Sequence, residues 1–312
     1  MDSQIKMIQI QTTSRCSGRC IMCPYRHSWL KDAHGYMSDD DFIHVLEEIK
    51  SYLGDYREKL PLYLMNDPLT DKKLIERIHL VYRYFPGCKL ELSTNGLLLT
   101  DKISKAMIDA VIQHTSEDTF ELWISLHGVN KQTWEFLNGL YGKYERTITN
   151  IINFLRINNG RLKVFINSVG GASRDGSMFF YSKERWERFV RGLLSINKVP
   201  MQNVYLRYFT FHNRAGNVRL GHWDGREFYR EIGPEYPFSC WRFTSAIHIL
   251  YELSIPLCCM DYNKEVVLGN LKEQSLKEIW EGETRKKIVE MAGGKRPSPK
   301  DFICKRCISP GG

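Results

Sequence analysis

Three cysteines near the start of the chain have the spacing of a metal-binding loop. Cys16, Cys20 and Cys23 form the pattern CxxxCxxC, with Gly18 between the first two. Thiolates are soft ligands suited to iron or zinc, and a glycine allows the tight wrap that such a loop needs. An iron–sulfur cube takes four ligands, so three cysteines leave one iron open. We interpret the pattern as an open cluster site, in preference to a zinc site or three reduced core cysteines.

A second group of cysteines lies near the C-terminus. Five of the nine cysteines fall in the last 73 residues, whereas the 64 positions after Cys23 contain none. Scattered core cysteines would not cluster in this way. Cys304 and Cys307 form a CxxC pair, and Cys240 and the doublet Cys258–Cys259 precede it. On spacing alone, this group suits a zinc ion and an iron–sulfur cluster equally well.

The composition excludes several classes of protein. The chain has 312 residues, of which 43% are hydrophobic and 26% charged, so global disorder is excluded. There is no secretory signal and no apolar run near the ~20 residues of a membrane helix, so we expect a cytoplasmic protein with no membrane partner. The net charge of +8 comes without a dense basic run, which favours a solvated surface over a nucleic-acid partner.

Alternating strand and helix patterns occupy the first two-thirds of the chain. Six such repeats predict six β/α units, a parallel sheet and an α/β fold, namely a partial (β/α)6 TIM barrel. Chemistry in such folds occurs at the carboxyl ends of the strands, and the first cysteine loop directly follows the first strand. The predicted strands are Lys6–Ile10, Leu60–Met65, Lys89–Ser93, Phe120–Leu126, Lys163–Val169 and Asn203–Phe209.

The pattern becomes irregular after the sixth strand. We predict a barrel domain over residues 1–214 and a small cysteine-containing domain over residues 215–312. In the second domain, Ser245–Tyr251 is predicted to be a strand that pairs with Leu253–Leu257. Ser275 is predicted to cap the N-terminus of a short helix.

The CxxxCxxC loop after the first strand of a β/α chain resembles the radical S-adenosylmethionine (SAM) superfamily over about residues 5–210. The resemblance implies that Cys16, Cys20 and Cys23 bind a [4Fe–4S] cluster whose open iron is chelated by SAM. It implies that reductive cleavage of SAM gives a 5′-deoxyadenosyl radical, which abstracts hydrogen from a substrate. It also implies an electron donor of the flavodoxin or ferredoxin type.

The same resemblance implies which side chains contact SAM. Superfamily members usually carry Gly-Gly-Glu or Gly-Glu-Pro after the second strand, where this chain has Asn66–Asp67–Pro68. Asp67 would then supply the carboxylate for the SAM amino group, one methylene shorter than Glu. Ser93–Gly96 matches the family's usual pattern after the third strand. The implied SAM contacts are Met22, Asn66, Asp67, Ser93, Asn95, Ser125 and Asn167.

The C-terminal region resembles the twitch and SPASM extensions of radical SAM enzymes, through residues 256–261, 267–271 and 275–280. A full SPASM domain has seven cysteines, whereas this tail has five. The resemblance therefore implies a twitch-like domain with one auxiliary [4Fe–4S] cluster, and two clusters in the whole chain. The implied ligands are Cys240, Cys258, Cys304 and Cys307.

Two further residues are candidates for substrate chemistry. Cys259 has no place in a cube that is already complete. It is either a packing residue or a thiol that gives a hydrogen atom to a substrate radical, as in the aminoglycoside radical SAM epimerases that the chain resembles. Arg214 follows the sixth strand, where the similar butirosin-type dehydrogenases carry an arginine that faces the substrate alcohol. His212 is an alternative to Arg214.

The leading hypothesis is an epimerase that acts on a small polar substrate, such as an aminoglycoside or a sugar, with Cys259 as hydrogen donor. The first alternative is alcohol oxidation with the auxiliary cluster as electron acceptor. The second is modification of a peptide. A non-enzymatic protein that binds zinc or an iron–sulfur cluster is the remaining class, and an open cluster loop argues against it. Cys88 is assigned no role.

Overall fold

The computed structural model describes residues 5–115, 119–170, 181–210, 212–218, 222–223, 226–227, 238 and 240–307. Strands and helices are numbered in chain order. In the described part of the chain, no helix is both long enough and apolar enough to span a bilayer.

Seven parallel strands form the main sheet, which confirms the predicted α/β fold. Most residues of these strands are buried, as is usual for parallel sheets. The seven strands are β1 (Met7–Ile10), β2 (Lys59–Pro61), β3 (Lys89–Thr94), β4 (Phe120–Ser125), β5 (Lys163–Gly170), β6 (Val204–Thr210) and β9 (Ala246–Ile249). Two antiparallel pairs are separate from this sheet: β7 (His222–Trp223) with β8 (Arg226–Glu227), and β10 (Ser254–Pro256) with β11 (Val267–Asn270).

The helices follow the strands in the order that the sequence predicts. Ser38 caps α2 by accepting a hydrogen bond from the Asp41 N–H, and Ser275 forms a capping box with Glu278 at the start of α9. The described helices are α1 (Leu30–Ala33), α2 (Asp39–Leu53), α3 (Leu74–Tyr84), α4 (Asp101–Ile112), α5 (Lys131–Asn138), α6 (Tyr144–Asn158), α7 (Lys183–Ile196), α8 (Trp241–Thr244), α9 (Leu276–Trp280) and α10 (Glu283–Ala292).

The chain divides into two compact units. The first unit comprises Met1–Ser14, Met22–Met65 and His212–Gly312, and its part of the sheet has the order β2–β1–β9. The second unit comprises Arg15–Ile21 and Asn66–Phe211, and its part has the order β3–β4–β5–β6.

Two sequence-based strand predictions differ from the structure. The predicted partners Ser245–Tyr251 and Leu253–Leu257 do not pair with each other. Instead, β9 pairs in parallel with β1, and β10 pairs with β11. All four residues of β9 are buried, so its place in the main sheet covers apolar surface that a small hairpin would expose. The second predicted strand ends at Pro61, although Met65 remains 2% exposed, because apolar periodicity reports burial and not strand pairing.

Candidate functional site

The part of the N-terminal cysteine loop, Cys16–Cys23, that belongs to the second unit is positioned by backbone hydrogen bonds. The N–H groups of Arg19 and Ile21 donate to the carbonyls of Asn138 and Leu137, at 2.9 and 3.0 Å. These carbonyls belong to the last turn of α5, where helix carbonyls have no partner within the helix. The end of α5 therefore fixes the middle of the loop.

Asn138 also contacts a cysteine directly. Its buried side-chain Oδ1 lies 3.9 Å from Cys20 Sγ, and its Nδ2 donates to the carbonyls of His127 and Trp134. Gly139 follows with a φ of +59°, and a Cβ at this position would lie 2.5 Å from the Arg19 carbonyl oxygen. Sequence reasoning missed Asn138. The signal available in the sequence was Gly139, the residue after Asn138. A glycine there permits both the left-handed backbone and the close approach of the cysteine loop.

Asn95, predicted as a SAM contact, holds the same loop. Its Nδ2 donates to Ser17 Oγ at 2.8 Å, and its Oδ1 accepts from the Leu97 N–H at 2.9 Å. A Cβ on Gly18 would lie 3.4 Å from Cys20 Sγ and 3.5 Å from Asn95 Nδ2. The loop thus wraps closely around the Cys20 sulfur, as a cluster ligand requires.

Asp67 is buried at the end of the loop after β2. One carboxylate oxygen accepts from the Leu69 N–H at 3.0 Å, and the other accepts from Thr94 Oγ1 at 3.0 Å and the Asn95 N–H at 3.4 Å. Burial raises the pKa of Asp67 to about 6, although these hydrogen bonds lower it. A carboxylate has about four lone-pair sites, so one remains for an ammonium donor.

The other predicted SAM contacts lie at or near strand ends. Ser125 Oγ and Asn167 Oδ1, on the paired strands β4 and β5, are 3.4 Å apart. Ser93 is half-buried near the end of β3, and Asn66 is half-buried beside Asp67 in the chain. Met22 belongs to the first unit and is 4% exposed.

An aromatic surface accompanies these strand ends in the second unit. The Trp123 and Phe165 rings stack with centroids 4.3 Å apart, and Tyr205 stacks on Phe165 at 5.2 Å. Trp123 lies two residues before Ser125, so both side chains are on one face of β4. The guanidinium of Arg207, the strand partner of Asn167, lies 5.3 Å from the Phe165 centroid. This face combines stacking surface with a cation.

The C-terminal cysteine group, Cys240, Cys258, Cys304 and Cys307, lies in the first unit. Burial raises the pKa of Cys258, and the nearby Cys259, Cys304 and Cys307 add to the increase. Burial also raises the pKa of Cys304, with contributions from Cys307 and Cys240. The four thiols are therefore electrostatic neighbours, although they come from three separate segments.

The geometry of this group bears on the choice between zinc and a cluster. In the described part of the chain, no three His, Cys, Asp or Glu side chains are arranged to hold a single metal ion. A structural zinc site needs four ligands about 2.0–2.3 Å from one ion. An iron–sulfur cube is larger, and each of its cysteines binds a different iron.

Cys259 shares neighbours with Cys258 and has two arginines beside it. Burial raises its pKa, whereas the guanidinium groups of Arg242 and Arg214 lower it, and Arg242 is hydrogen-bonded to it. Arg242 Nη1 also donates to Cys240 Sγ at 3.8 Å. Cys240 and Cys307 are further electrostatic neighbours of Cys259, and Arg242 also interacts with Cys258, so the two adjacent thiols share part of their surroundings.

Arg214 lies in a turn that is hydrogen-bonded to residues near the C-terminal cysteine group. Its backbone has a φ of +51°, its N–H donates to His212 Nδ1 at 2.9 Å, and its Nη1 donates to Met260 Sδ at 3.3 Å. The neighbouring Asn213 is fully buried and donates to the Arg306 carbonyl. Burial, followed by Arg214 and Arg242, lowers the pKa of His212 to about 4, so this imidazole is neutral at pH 7.

Within the first unit, Tyr262 connects the C-terminal cysteine group with Cys23 of the N-terminal cysteine loop. Its hydroxyl oxygen lies 3.6 Å from Cys23 Sγ, which is within hydrogen-bonding distance for sulfur. Burial is the main cause of the raised pKa of Tyr262. Cys23 and Cys259 raise this pKa further, whereas Arg214 lowers it. Tyr262 therefore has a predicted ligand of the first cluster and the two candidate catalytic residues as electrostatic neighbours.

Comparisons with known proteins match two regions of the chain. The Radical SAM superfamily model matches residues 10–175. The SPASM model, described as an iron–sulfur cluster-binding domain, matches residues 240–308 and so contains all five C-terminal cysteines.

Individual relatives are more distant. The S-adenosyl-L-methionine-dependent 2-deoxy-scyllo-inosamine dehydrogenase of Niallia circulans is 26% identical over 113 residues, which are 36% of this chain and 44% of that protein. The matches cover less than half the length of each curated relative.

Two solved structures share the fold. BtrN in complex with AdoMet and 2-DOIA has a TM-score of 0.60 at 18% identity, covering 99% of this chain and 95% of that chain. SuiB of Streptococcus suis, bound to the precursor peptide SuiA, has a TM-score of 0.62 at 14% identity, covering 98% and 70%. With the superfamily model covering more than half of its length, the chain belongs to the radical SAM superfamily and carries a C-terminal SPASM domain, and its cofactors are SAM and iron–sulfur clusters.

Proposed function

We propose that this radical SAM enzyme epimerises a carbon centre of a small polar substrate, such as an aminoglycoside or a sugar. SAM and its [4Fe–4S] cluster, when bound, supply the oxidant that removes a hydrogen atom from substrate carbon. Cys259 then gives the hydrogen atom of its S–H bond to the opposite face of that carbon. One electron from a flavodoxin- or ferredoxin-type donor and one proton from solvent restore the thiol.

The observation that carries this proposal is the position of Cys259 beside two arginines, in a region that it shares with the proposed cluster ligands Cys240 and Cys307. Cys258 has Cys259 and the CxxC thiols as electrostatic neighbours, which suits a ligand of the auxiliary cluster. Cys259 is half-buried, as Cys258 is, and it is an electrostatic neighbour of Tyr262, whose hydroxyl contacts Cys23. A thiol that is not needed as a ligand, yet lies in this region, is suited to hydrogen-atom donation.

The remaining site residues have proposed roles in binding. Cys16, Cys20 and Cys23 hold the SAM cluster, and Cys240, Cys258, Cys304 and Cys307 hold the auxiliary cluster. Asp67 pairs with the SAM ammonium through its remaining lone-pair site. The other proposed SAM contacts are Met22, Asn66, Ser93, Asn95, Ser125 and Asn167.

Arg214 is proposed to bind substrate hydroxyl groups. Its half-buried guanidinium donates to the Met260 sulfur, which is a weak acceptor. A guanidinium has five N–H donors in a planar fork, so most of its donor capacity is available to an oxygen-rich substrate. The φ values at Arg214 and Ala215 are positive, which is a costly backbone conformation, and this strain supports a functional role for the turn.

Alcohol oxidation is the second candidate. The similarity to the 2-deoxy-scyllo-inosamine dehydrogenase favours it. In that reaction Arg214 would stabilise the developing alkoxide, the auxiliary cluster would accept the second electron, and Cys259 would have no chemical step. Peptide modification remains an alternative by analogy with the peptide-bound SuiB structure, which supports the fold alone. A cytoplasmic location and the absence of a nucleic-acid or membrane partner remain predictions.

The test is turnover in D₂O. The anaerobically reconstituted enzyme is given dithionite, SAM and a panel of aminocyclitols and aminoglycosides that includes 2-deoxy-scyllo-inosamine. We expect 5′-deoxyadenosine and a product of unchanged mass except for one carbon-bound deuterium. Cys259→Ser should keep about eight irons and SAM cleavage but lose the deuterated product, because an O–H bond is too strong to donate.

Cys88→Ala is the matched control, because Cys88 is fully buried in the second unit and is assigned no role. It should keep the reaction of the wild type. A product two hydrogens lighter, without solvent deuterium and formed equally well by Cys259→Ser, would establish oxidation instead. Loss of the auxiliary cluster in Cys259→Ser would show that Cys259, and not Cys258, is the ligand.

A further inference from the structure

Tyr262 is a buried side chain whose hydroxyl has a sulfur as its partner. The residue is 6% exposed, and its Oη lies 3.6 Å from Cys23 Sγ. Among the described residues, the Tyr262 hydroxyl has no polar contact other than Cys23 Sγ. Burial of a hydroxyl without a partner is costly, so the contact has a structural reason to persist.

The direction of this hydrogen bond follows from the chemistry of Cys23. A cysteine that binds iron is a thiolate and carries no proton, so it can only accept. The Tyr262 O–H must therefore donate when the cluster is in place. Hydrogen bonds to the sulfurs of an iron–sulfur cluster help to set its reduction potential. They stabilise the more negatively charged reduced state, and thus raise the potential.

The chain segment that carries Tyr262 begins at an auxiliary-cluster ligand. The Asp261 N–H donates to the Cys258 carbonyl at 3.1 Å, and the Tyr262 N–H donates to the Met260 carbonyl at 3.0 Å. The fully buried Asp261 carboxylate accepts from the N–H groups of Glu265 and Val266, at 2.8 and 2.9 Å. The position of the Tyr262 hydroxyl is therefore linked to that of Cys258 through a short, hydrogen-bonded turn.

We propose that Tyr262 is a positioning residue that donates a hydrogen bond to the Cys23 thiolate, raises the potential of the SAM cluster, and makes that potential depend on whether the auxiliary cluster is in place. An enzyme that lacks its auxiliary cluster would then reduce its SAM cluster, and consume SAM, less readily. The inference rests on a cluster at Cys23 and is independent of the proposed reaction at Cys259.

The first test compares Tyr262→Phe with wild type by EPR-monitored redox titration, without substrate. The SAM cluster is identified by the change that SAM causes in its signal. Tyr262→Phe should keep its iron content and SAM binding, while the equilibrium constant for reduction falls roughly tenfold, or about 59 mV for one electron. Tyr251→Phe is the control, because its ring packs against Trp29 in the same unit and its hydroxyl is not at Cys23. Equal potentials in wild type and Tyr262→Phe would overturn the proposal.

The second test is a double-mutant cycle. Cys304→Ala together with Cys307→Ala removes the auxiliary cluster, and the SAM-cluster potential is measured with Tyr262 and with Phe at this position. Loss of the auxiliary cluster should lower the SAM-cluster potential more when Tyr262 is present than when Phe replaces it. Only the Tyr262 hydroxyl can carry a movement of the turn to Cys23. An equal fall in both backgrounds would show that the coupling bypasses Tyr262 and would overturn that part of the proposal. Because no substrate is used, neither result depends on whether the enzyme epimerises or oxidises.

Discussion

The two cysteine groups are held by different kinds of interaction. In the second unit, Cys20 and its neighbours are fixed by the carbonyl and side-chain oxygens of Asn138 and the amide of Asn95, and the Arg19 guanidinium donates to the Cys16 and Gly18 carbonyls. In the first unit, the Arg242 guanidinium is hydrogen-bonded to Cys240 and Cys259. The arginine of the first group thus binds backbone carbonyls, whereas the arginine of the second group binds sulfurs.

This difference suits the two clusters to different tasks. Net charge and hydrogen bonding around the sulfurs are among the determinants of a cluster's potential, and a nearby cation favours the reduced state. A SAM cluster must be strongly reducing, which is favoured when the nearby cation binds backbone carbonyls and not the sulfurs. An auxiliary cluster at the proposed ligands would have Arg242 beside its sulfurs and would be better suited to accept or hold an electron.

The largest expected effect comes from removing the first group. Replacing Cys16, Cys20 and Cys23 with Ala should remove about half of about eight irons and abolish 5′-deoxyadenosine formation, because these are the only ligands proposed for the SAM cluster. Iron analysis and chromatography of the quenched reaction measure both quantities. SAM cleavage that survives the triple replacement would disprove the assignment.

A smaller effect is expected from the second group. Cys304→Ala together with Cys307→Ala should also leave about four irons, but SAM cleavage should persist, because the SAM cluster remains. The comparison of the two variants thus separates the clusters by function. Zinc in place of the auxiliary iron in fully reconstituted wild type would contradict the cluster assignment.

The sequence predicted the features that depend on local pattern. The six β/α units follow from periodicity, and Ser275 acts as a helix cap as predicted. It did not predict that β9 joins the main sheet, since β9 lies more than 200 residues after its partner β1 and a local pattern cannot specify a distant partner.

Prediction of the site residues from the sequence has the same limit. The N-terminal cysteine ligands were proposed from spacing, because a cluster demands several soft ligands in a short segment, whereas the C-terminal ligands were implied by the resemblance to SPASM and twitch domains. Asn138 and Tyr262 were missed, since each acts on a cysteine more than 100 residues away in the chain. Neither residue belongs to a motif, and only the fold brings it to the sulfur.

The smallest effect concerns Asp67, whose environment differs from that of both cysteine groups. Asp67→Asn should weaken SAM binding roughly 10- to 100-fold, because a charge-assisted hydrogen bond to the SAM ammonium contributes about 1.5–3 kcal/mol. Iron content and thermal unfolding serve as controls, since Asp67 also accepts hydrogen bonds from Leu69 and Thr94. Unchanged affinity would assign the ammonium contact to another residue of the loop.

The pH dependence of SAM binding sharpens this prediction. Burial raises the pKa of Asp67 to about 6, so the carboxylate is ionised at pH 7 and mostly protonated at pH 5. Only the ionised form pairs with an ammonium, so wild-type affinity should fall as the pH falls, about tenfold between pH 7 and pH 5. Asp67→Asn has no charge to lose and should show a flat profile over this range. Equilibrium binding of SAM to the reconstituted enzyme, measured anaerobically at each pH, distinguishes the two. A wild-type profile as flat as that of Asp67→Asn would mean that another acceptor binds the SAM ammonium. Asp67 would then only stabilise the loop through its three hydrogen bonds.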